Sequence, residues 1–242
     1  MADYDNRAMR GMTGRAEAGA AYDAGLRTFM QGVYSHMMIG LGVTGLVAYA
    51  VSHTPALMQV LFGTPLSWVV IFAPLAVVIF LSARIEQMSA STATVTFYVY
   101  SALVGLSLSA IFLMYPVGDI VRVLFITAAS FGALSLYGYT TNRDLSGWGS
   151  FLFMGLIGII LASVVNIFLG SPALEFAVSI VGVLVFAGLT AYDTQRLKEL
   201  YFVVGHTGET AAKVSIMGAL SLYLDFINLF LFLLQLLGNR EE

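Results

Sequence analysis

Residues 219–237 read ALSLYLDFINLFLFLLQLL, and this stretch decides the fold class. It is long enough to cross a bilayer, because about 20 apolar residues in a helix span the ~30 Å hydrocarbon layer. One carboxylate, Asp225, stands in its middle. A charge at that depth costs on the order of 2.5–3.5 kcal/mol, so ionisable groups inside spans usually face a protein interior or a water-filled path. Asp225 is therefore the first candidate functional residue.

The composition of the whole chain is that of a membrane protein. Of its 242 residues, 59% are hydrophobic and only 10% are charged, whereas soluble domains carry about 25% charged residues. Long unbroken apolar runs favour helices over an outer-membrane barrel. The absence of cysteine excludes disulfides and thiolate metal sites, and a net charge of −3 indicates no nucleic-acid partner. The sequence predicts an all-α integral membrane protein.

The apolar runs predict seven membrane-spanning helices in one domain, residues 30–238. The predicted spans are 30–52, 65–83, 94–115, 120–140, 149–169, 174–193 and 215–237. Clusters of Pro, Gly, Asn and Asp separate them, as is typical of loops. Residues 1–29 are polar and are expected to form a flexible cytoplasmic segment, and residues 239–242 a short polar tail.

Basic residues predict the orientation, because cytoplasmic loops collect Lys and Arg. With the N-terminus inside, only Arg122 and Arg240 fall on the outer side. The nine inner basic residues are Arg7, Arg10, Arg15, Arg27, Arg84, Arg143, Arg196, Lys198 and Lys213. Seven spans then place the C-terminus outside, although a re-entrant last segment would return it to the cytoplasm.

Asp193 is the best candidate partner for Asp225. It lies in residues 188–195, GLTAYDTQ, at the end of the preceding apolar run, and its alternative role is an interfacial carboxylate near Arg196 and Lys198. At ~1.5 Å per residue, the two aspartates are about 10 Å apart along the membrane normal, so the sequence permits a pair without establishing one. Two carboxylates in a low-dielectric site cannot both ionise cheaply and can share a proton. Such a pair would be a proton-sensitive latch or a weak cation site.

Spacing suggests partners for three further polar groups. Arg84 ends the second span, where it either extends its charge toward the interface or pairs with a carboxylate in the bundle. Asn228 is three residues after Asp225 and can donate a hydrogen bond to it. Asp119 and Arg122 are also three apart on a helix and can form a local ion pair.

Two features predict how the helices pack. Ser101, Gly105 and Ser109 recur every four residues on the third span, and small residues at this spacing let helix backbones approach closely. The alternative is that small residues are simply common in such helices. His36 lies within the first span and is expected to be neutral and hydrogen-bonded to a neighbouring helix.

Two stretches carry a resemblance to a known family. They are residues 191–195, AYDTQ, and residues 219–230, ALSLYLDFINLF. The chain resembles a bacterial member of the Bax-inhibitor-like (transmembrane Bax inhibitor motif) family over essentially all of its spans. The resemblance implies seven helices, with the last helix central and the other six around it.

The resemblance also implies a function, a pH-sensitive calcium leak through the membrane. The two sensor aspartates of the family fall on Asp193 and Asp225, and its latch arginine falls on Arg84. The supporting candidates, taken from the same two motifs, are Tyr192, Gln195 and Asn228. Ca²⁺ is then the transported or transiently bound ion, with a weak site at the two aspartates, and no other cofactor is expected.

Two alternatives to a leak were weighed. A bacterial branch of the family that the chain also resembles is associated with modulating a membrane-bound AAA protease, which makes a non-conducting regulator the main alternative. An intramembrane protease is the other, since Tyr192-Asp193 resembles half of the aspartyl protease signature. The Gly-x-Gly-Asp half is missing before Asp225, and no His-Glu-x-x-His motif exists. The chain is therefore expected not to be an enzyme and to lie in a bacterial inner membrane.

Overall fold

All seven predicted spans are helices in the computed structural model. The structure describes residues 2–204 and 208–239, with side chains for residues 24–203 and 208–239, and this part of the chain contains no strand. The helices are α1 (Ala2–Ser52), α2 (Pro55–Phe62), α3 (Leu66–Arg84), α4 (Ala90–Leu108), α5 (Val117–Thr140), α6 (Ser146–Leu169), α7 (Pro172–Val204) and α8 (Glu209–Leu237). Short 3₁₀ turns, Ile85–Gln87 and Ser109–Leu113, extend α3 and α4.

The main differences between the helices and the predicted spans lie in α1, α7 and α8. Helix α1 begins at Ala2 rather than at residue 30, and its Ala24–Ser52 section is long and apolar enough to cross a membrane. Helix α7 continues to Val204 and α8 begins at Glu209, because good helix formers such as Gln, Arg, Leu, Lys and Glu prolong both helices past the apolar runs. The short helix α2 was not predicted at all. The cytoplasmic location and flexibility of residues 1–29 stay predictions.

The last helix occupies the interior of the bundle. The membrane-length window of α8 is 44% buried, whereas those of the other six spans are between 11% and 33% buried. Helix α8 packs against α1, α4, α5 and α7, while α3 packs chiefly on α4 and α6 chiefly on α7. The expected central last helix is therefore consistent with the packing, and α3 and α6 lie at the periphery.

Close backbone approach joins the helices that surround α8. A Cβ added at Gly105 on α4 would lie 2.6 Å from the Thr44 carbonyl oxygen on α1, and one at Gly138 on α5 would overlap the Ala191 carbonyl oxygen on α7. Small residues permit such contacts, which drive helix association in lipid. The predicted packing role of the small residues on the third span is thus confirmed at Gly105.

A buried hydroxyl network connects α8 to α1 and α4. The Thr44 hydroxyl donates to the Ser101 carbonyl oxygen at 2.8 Å and lies 2.6 Å from the Tyr223 hydroxyl. The Tyr223 ring packs edge-on against Phe97 and Tyr100. Since polar groups inside a membrane need internal partners, this network fixes the rotation of α8 in the bundle.

Two side-chain pairings expected from the sequence are confirmed. His36 Nδ1 lies 2.8 Å from the Tyr98 hydroxyl, which joins α1 to α4. Asp119 and Arg122 form an ion pair of 3.2 Å at the start of α5. Asp119 also accepts hydrogen bonds from the backbone and side chain of Asn239, so this pair anchors the end of α8.

Candidate functional site

Asp225 is buried in the middle of the central helix. Its exposed fraction is 4%, and its Oδ2 atom has no hydrogen-bond partner in the described part of the chain. A buried carboxylate without compensating hydrogen bonds is costly, so such a group is retained against stability. Of the buried side chains described, Asp225 is accordingly the strongest candidate for a functional role.

The register of the α7–α8 hairpin places Asp193 close to Asp225. Leu197 packs against Gly218, and because the helices are antiparallel, the position opposite Asp193 is Leu222. Asp225 is therefore three residues deeper, about 5 Å along the helix axis. This offset is half of the axial gap expected from the sequence, because both helices continue beyond the predicted span ends.

The side-chain directions reduce this gap further. In an α-helix each Cα–Cβ bond tilts toward the N-terminus. The Asp193 side chain therefore leans deeper into the bundle, and the Asp225 side chain leans back toward the α7–α8 loop. The two carboxyl groups are close enough to interact electrostatically. The two aspartates lie on facing helices and are offset by about one helical turn along the axis. This is the arrangement that a coupled pair requires.

The expected hydrogen bonds of Asp225 are not formed in the part of the chain that the structure describes. Asp193 and Asp225 share no hydrogen bond, so the approach of this pair is electrostatic only. Asn228 does not donate to Asp225 but to the carbonyl oxygen of Leu224, at 2.8 Å. An Asn side chain on a helix can donate to the backbone carbonyl oxygen four residues earlier. Asn228 forms this bond in place of the predicted hydrogen bond to Asp225.

Helix α5 holds the Asp193 segment of α7 in place. Thr194 lies 3.0 Å from the Ser135 hydroxyl, which in turn contacts the Tyr34 hydroxyl of α1. Lys198 donates to the Tyr139 carbonyl oxygen at 3.1 Å. Sequence reasoning missed this network, because single hydroxyls on three separate helices leave no pattern along the chain. The network joins α7 to α1 and α5.

The supporting candidate Gln195 fixes the α5–α6 loop rather than the aspartates. Its amide accepts a hydrogen bond from the Leu145 backbone at 2.7 Å and donates to the Arg143 carbonyl oxygen at 2.8 Å. In the same loop, hydrogen bonds from the hydroxyl and backbone amide of Ser146 hold the pKa of Asp144 below its usual value. Gln195 therefore acts as a structural link between the loop and α7.

Tyr192, the third supporting candidate, packs toward α6. A Cβ added at Gly149 would lie 2.6 Å from the Tyr192 hydroxyl. The side chain thus points away from the α7–α8 interface that holds Asp193 and Asp225. Its contact with Gly149 gives it a packing role between α6 and α7.

Arg84 is not brought to the aspartates in this structure. It is exposed at the end of α3, and its Nη1 atom donates to Gln87 Oε1 at 2.7 Å. Among the described residues it makes no ion pair with Asp193 or Asp225. The latch role of Arg84 therefore stays a prediction that would need movement of α3.

Substitutions of Arg84 separate the two roles. If Arg84 is a latch, Arg84→Ala is expected to change the pH response of ion flux, because a cation that can reach the pair is lost. If the Arg84 side chain only extends to the interface, the Arg84→Lys and Arg84→Ala proteins should insert normally and conduct alike. An exposed ion pair typically contributes no more than ~1 kcal/mol to stability, so neither change should disturb the fold. Flux from reconstituted liposomes is the measurement, and equal curves for both variants and wild type contradict the latch.

The aspartates cannot form a complete Ca²⁺ site by themselves. Ca²⁺ takes six to eight oxygen ligands, and no group of three or more Asp, Glu, His or Cys side chains suited to a metal occurs in residues 24–203 and 208–239. The predicted weak Ca²⁺ site at Asp193 and Asp225 therefore requires water or backbone oxygens as the remaining ligands.

Seven membrane-length helices, the central one of which carries the buried Asp225, define a polytopic membrane protein with an ionisable centre. A family model described as "Inhibitor of apoptosis-promoting Bax1" matches residues 26–242. The chain belongs to this Bax inhibitor-1-like family, which confirms the resemblance seen in its two motifs.

Several bacterial proteins are similar over nearly the whole length. Inner membrane protein YbhL of Escherichia coli K12 is 53% identical over 221 residues, which cover 90% of this chain and 94% of YbhL. Protein RP147 of Rickettsia prowazekii is 45% identical, covering 91% and 93% of the two chains. A membrane protein of Streptococcus pyogenes serotype M1 is 33% identical, covering 90% and 96%. Two of these names state a membrane location, in agreement with the fold.

Proposed function

We propose that this chain is a proton-sensitive cation leak of a bacterial inner membrane, with Ca²⁺ as the transported ion and the N-terminus in the cytoplasm. The Asp193–Asp225 pair is its gate. The observation that carries this proposal is the unpaired Oδ2 of Asp225, buried in the central helix one turn from Asp193. An ionisable residue inside the membrane marks an ion or proton path by default.

The gate follows from the chemistry of two neighbouring carboxyl groups. When the pair holds a proton, one carboxyl can donate to the other and draw α7 and α8 together. When both are ionised, they repel each other or require a cation between them. The two protonation states therefore favour different spacings of α7 and α8. Binding of a proton shifts the equilibrium between these two spacings, as binding of any ligand would.

Among the described residues, Arg196 is the cation whose charge reaches the pair, because it acts electrostatically on Asp193. Arg196 is exposed, and Lys198 is engaged with the Tyr139 carbonyl oxygen. Hydrogen bonds hold both helices of the pair: the Ser135–Thr194 contact joins α7 to α5, and the Thr44–Tyr223 contact joins α8 to α1. A change in the spacing of α7 and α8 therefore also changes the packing of one of these contacts.

Ion flux through liposomes that contain only this protein tests the proposal. We expect Ca²⁺ release to exceed that of protein-free liposomes and to change between mildly acidic and mildly alkaline buffer, because the pair titrates as a unit. Release equal to that of protein-free liposomes at every pH contradicts the leak. A non-conducting regulator of a membrane-bound AAA protease then becomes the better proposal, and co-purification with such a protease would be its test.

A further inference from the structure

A second polar region lies at the other end of the α7–α8 interface. A cavity of about 390 Å³ opens there between α6, α7 and α8. Its polar lining consists of Ser163, Asn166, Glu175, Asn228 and Gln235. Polar side chains on membrane-crossing helices are costly unless they meet partners or water. Asn166, Asn228 and Gln235 each have one hydrogen bond within the protein. A cavity of this size also has room for several water molecules, which can meet the remaining polar groups of the lining.

Glu175 contributes a carboxyl group to this cavity. It stands in the first turn of α7 and is, among the described lining residues, the one with an ionisable side chain. It precedes Asp193 by 18 positions, which is five turns, so both carboxylates lie on the same face of α7 about 27 Å apart. This face is the one that packs on α8. The α7–α8 interface thus has acidic groups at both of its ends.

Aromatic packing closes the interface between these two ends. The Phe232 ring lies against Gly182, where an added Cβ would be 2.6 Å from ring atoms, and it stacks on Phe186 at 5.8 Å. Both partners belong to the part of α7 between Glu175 and Asp193. The ring of Phe232 also lines the cavity, so it forms the boundary between the cavity and the aspartates.

We infer that this cavity is a hydrated vestibule for cations, with Glu175 as its entry carboxylate, and that Phe232 separates it from the Asp193–Asp225 pair. The inference rests on the proposed leak and adds a route to its gate. Acidic side chains at a pore mouth attract cations, and hydrophobic constrictions block them by excluding water. The absence of a side chain at Gly182 lets the ring seat fully on α7.

Thiol labelling tests the vestibule without any need for conduction. The chain contains no cysteine, so Asn228→Cys and Gln235→Cys each provide a single reactive site. A membrane-impermeant, positively charged thiol reagent applied from the side of the α6–α7 loop should label both about tenfold faster than Val165→Cys. Val165 is the matched control, since it adjoins Asn166 but is 49% exposed on the outer surface. Equal rates at all three positions overturn the vestibule.

Ca²⁺ flux tests the roles of the carboxylate and the ring. Glu175→Gln should lower flux at limiting Ca²⁺ about tenfold, and high salt should remove the difference. Phe232→Ala should raise flux at every pH, while Phe232→Leu restores most of the barrier. Glu199→Gln is the control for Glu175, because Glu199 is an exposed acid on the same helix, beyond Asp193.

The outcomes separate this inference from the proposed leak. Wild-type flux that responds to pH but is unchanged in Glu175→Gln and Phe232→Ala overturns the vestibule and leaves the leak standing. Absence of wild-type flux overturns the leak, and the labelling of Asn228→Cys and Gln235→Cys then decides alone whether the cavity is hydrated.

Discussion

Asp225→Asn is expected to flatten the pH dependence of Ca²⁺ flux, because the amide keeps the shape of the carboxyl group and cannot titrate. Asp193→Asn should have the same effect, since the two groups form one coupled unit. The double variant should add little, with a non-additivity of about 0.5–3 kcal/mol when the effects are expressed as free energies. Flux from liposomes, recorded over a pH series for all four proteins, is the measurement.

Thermal unfolding provides a second readout for the same variants. At neutral pH, Asp225→Asn should stabilise the protein by about 1–3 kcal/mol, because the amide cannot ionise and so avoids the cost of a negative charge on a buried oxygen that has no partner. Glu199→Gln, an exposed change on α7, should leave both flux and stability as in wild type. If the single aspartate variants titrate like wild type, or if their effects simply sum, the pair is not one sensor and the leak loses its main support.

Gly138→Ala is expected to destabilise the bundle by about 1–3 kcal/mol, the usual cost of overpacking. The added Cβ would overlap the Ala191 carbonyl oxygen. A backbone atom cannot rotate aside, so α7 must shift, and Asp193 lies two residues further along this helix. Both the thermal midpoint in detergent and the pH response of flux should therefore change.

Gly132→Ala is the matched control on the same helix. Nothing lies within 4 Å of a Cβ at Gly132, and alanine is the better helix former by up to about 1 kcal/mol. Its thermal midpoint should equal or slightly exceed that of wild type. Equal loss of stability in the two variants would show that the close α5–α7 contact at Gly138 is not the cause of the destabilisation.

The sequence predicts the spans and the buried acid well, for a simple physical reason. An apolar run of membrane length has few alternatives to a spanning helix, and Asp225 stands out inside such a run. By contrast, α2 is only eight residues long, begins at Pro55 and is followed by Gly63. Its sequence therefore cannot be distinguished from that of a loop.

Side-chain partners were harder to predict than helices. Asn228 had two acceptors within reach along its own helix, and the Leu224 carbonyl oxygen is the one it uses. The hydroxyls of Tyr34, Ser135 and Thr194 meet only after three helices have packed. The polar cavity at Glu175 likewise combines side chains from three helices. Such sites depend on rotation and register, which hydropathy does not specify.

Because α8 is central, the bundle cannot be completed until this last span has been synthesised and inserted. Thr44 and Tyr223 meet across 179 positions of sequence, yet helices leave the ribosome in chain order. The six earlier spans therefore enter the bilayer before the helix that fills their interior exists. A nascent chain that stops before Glu209 lacks the helix on which α1, α4, α5 and α7 all pack. Synthesis of the final 29-residue helix is thus the step that converts an insertion product into a folded protein.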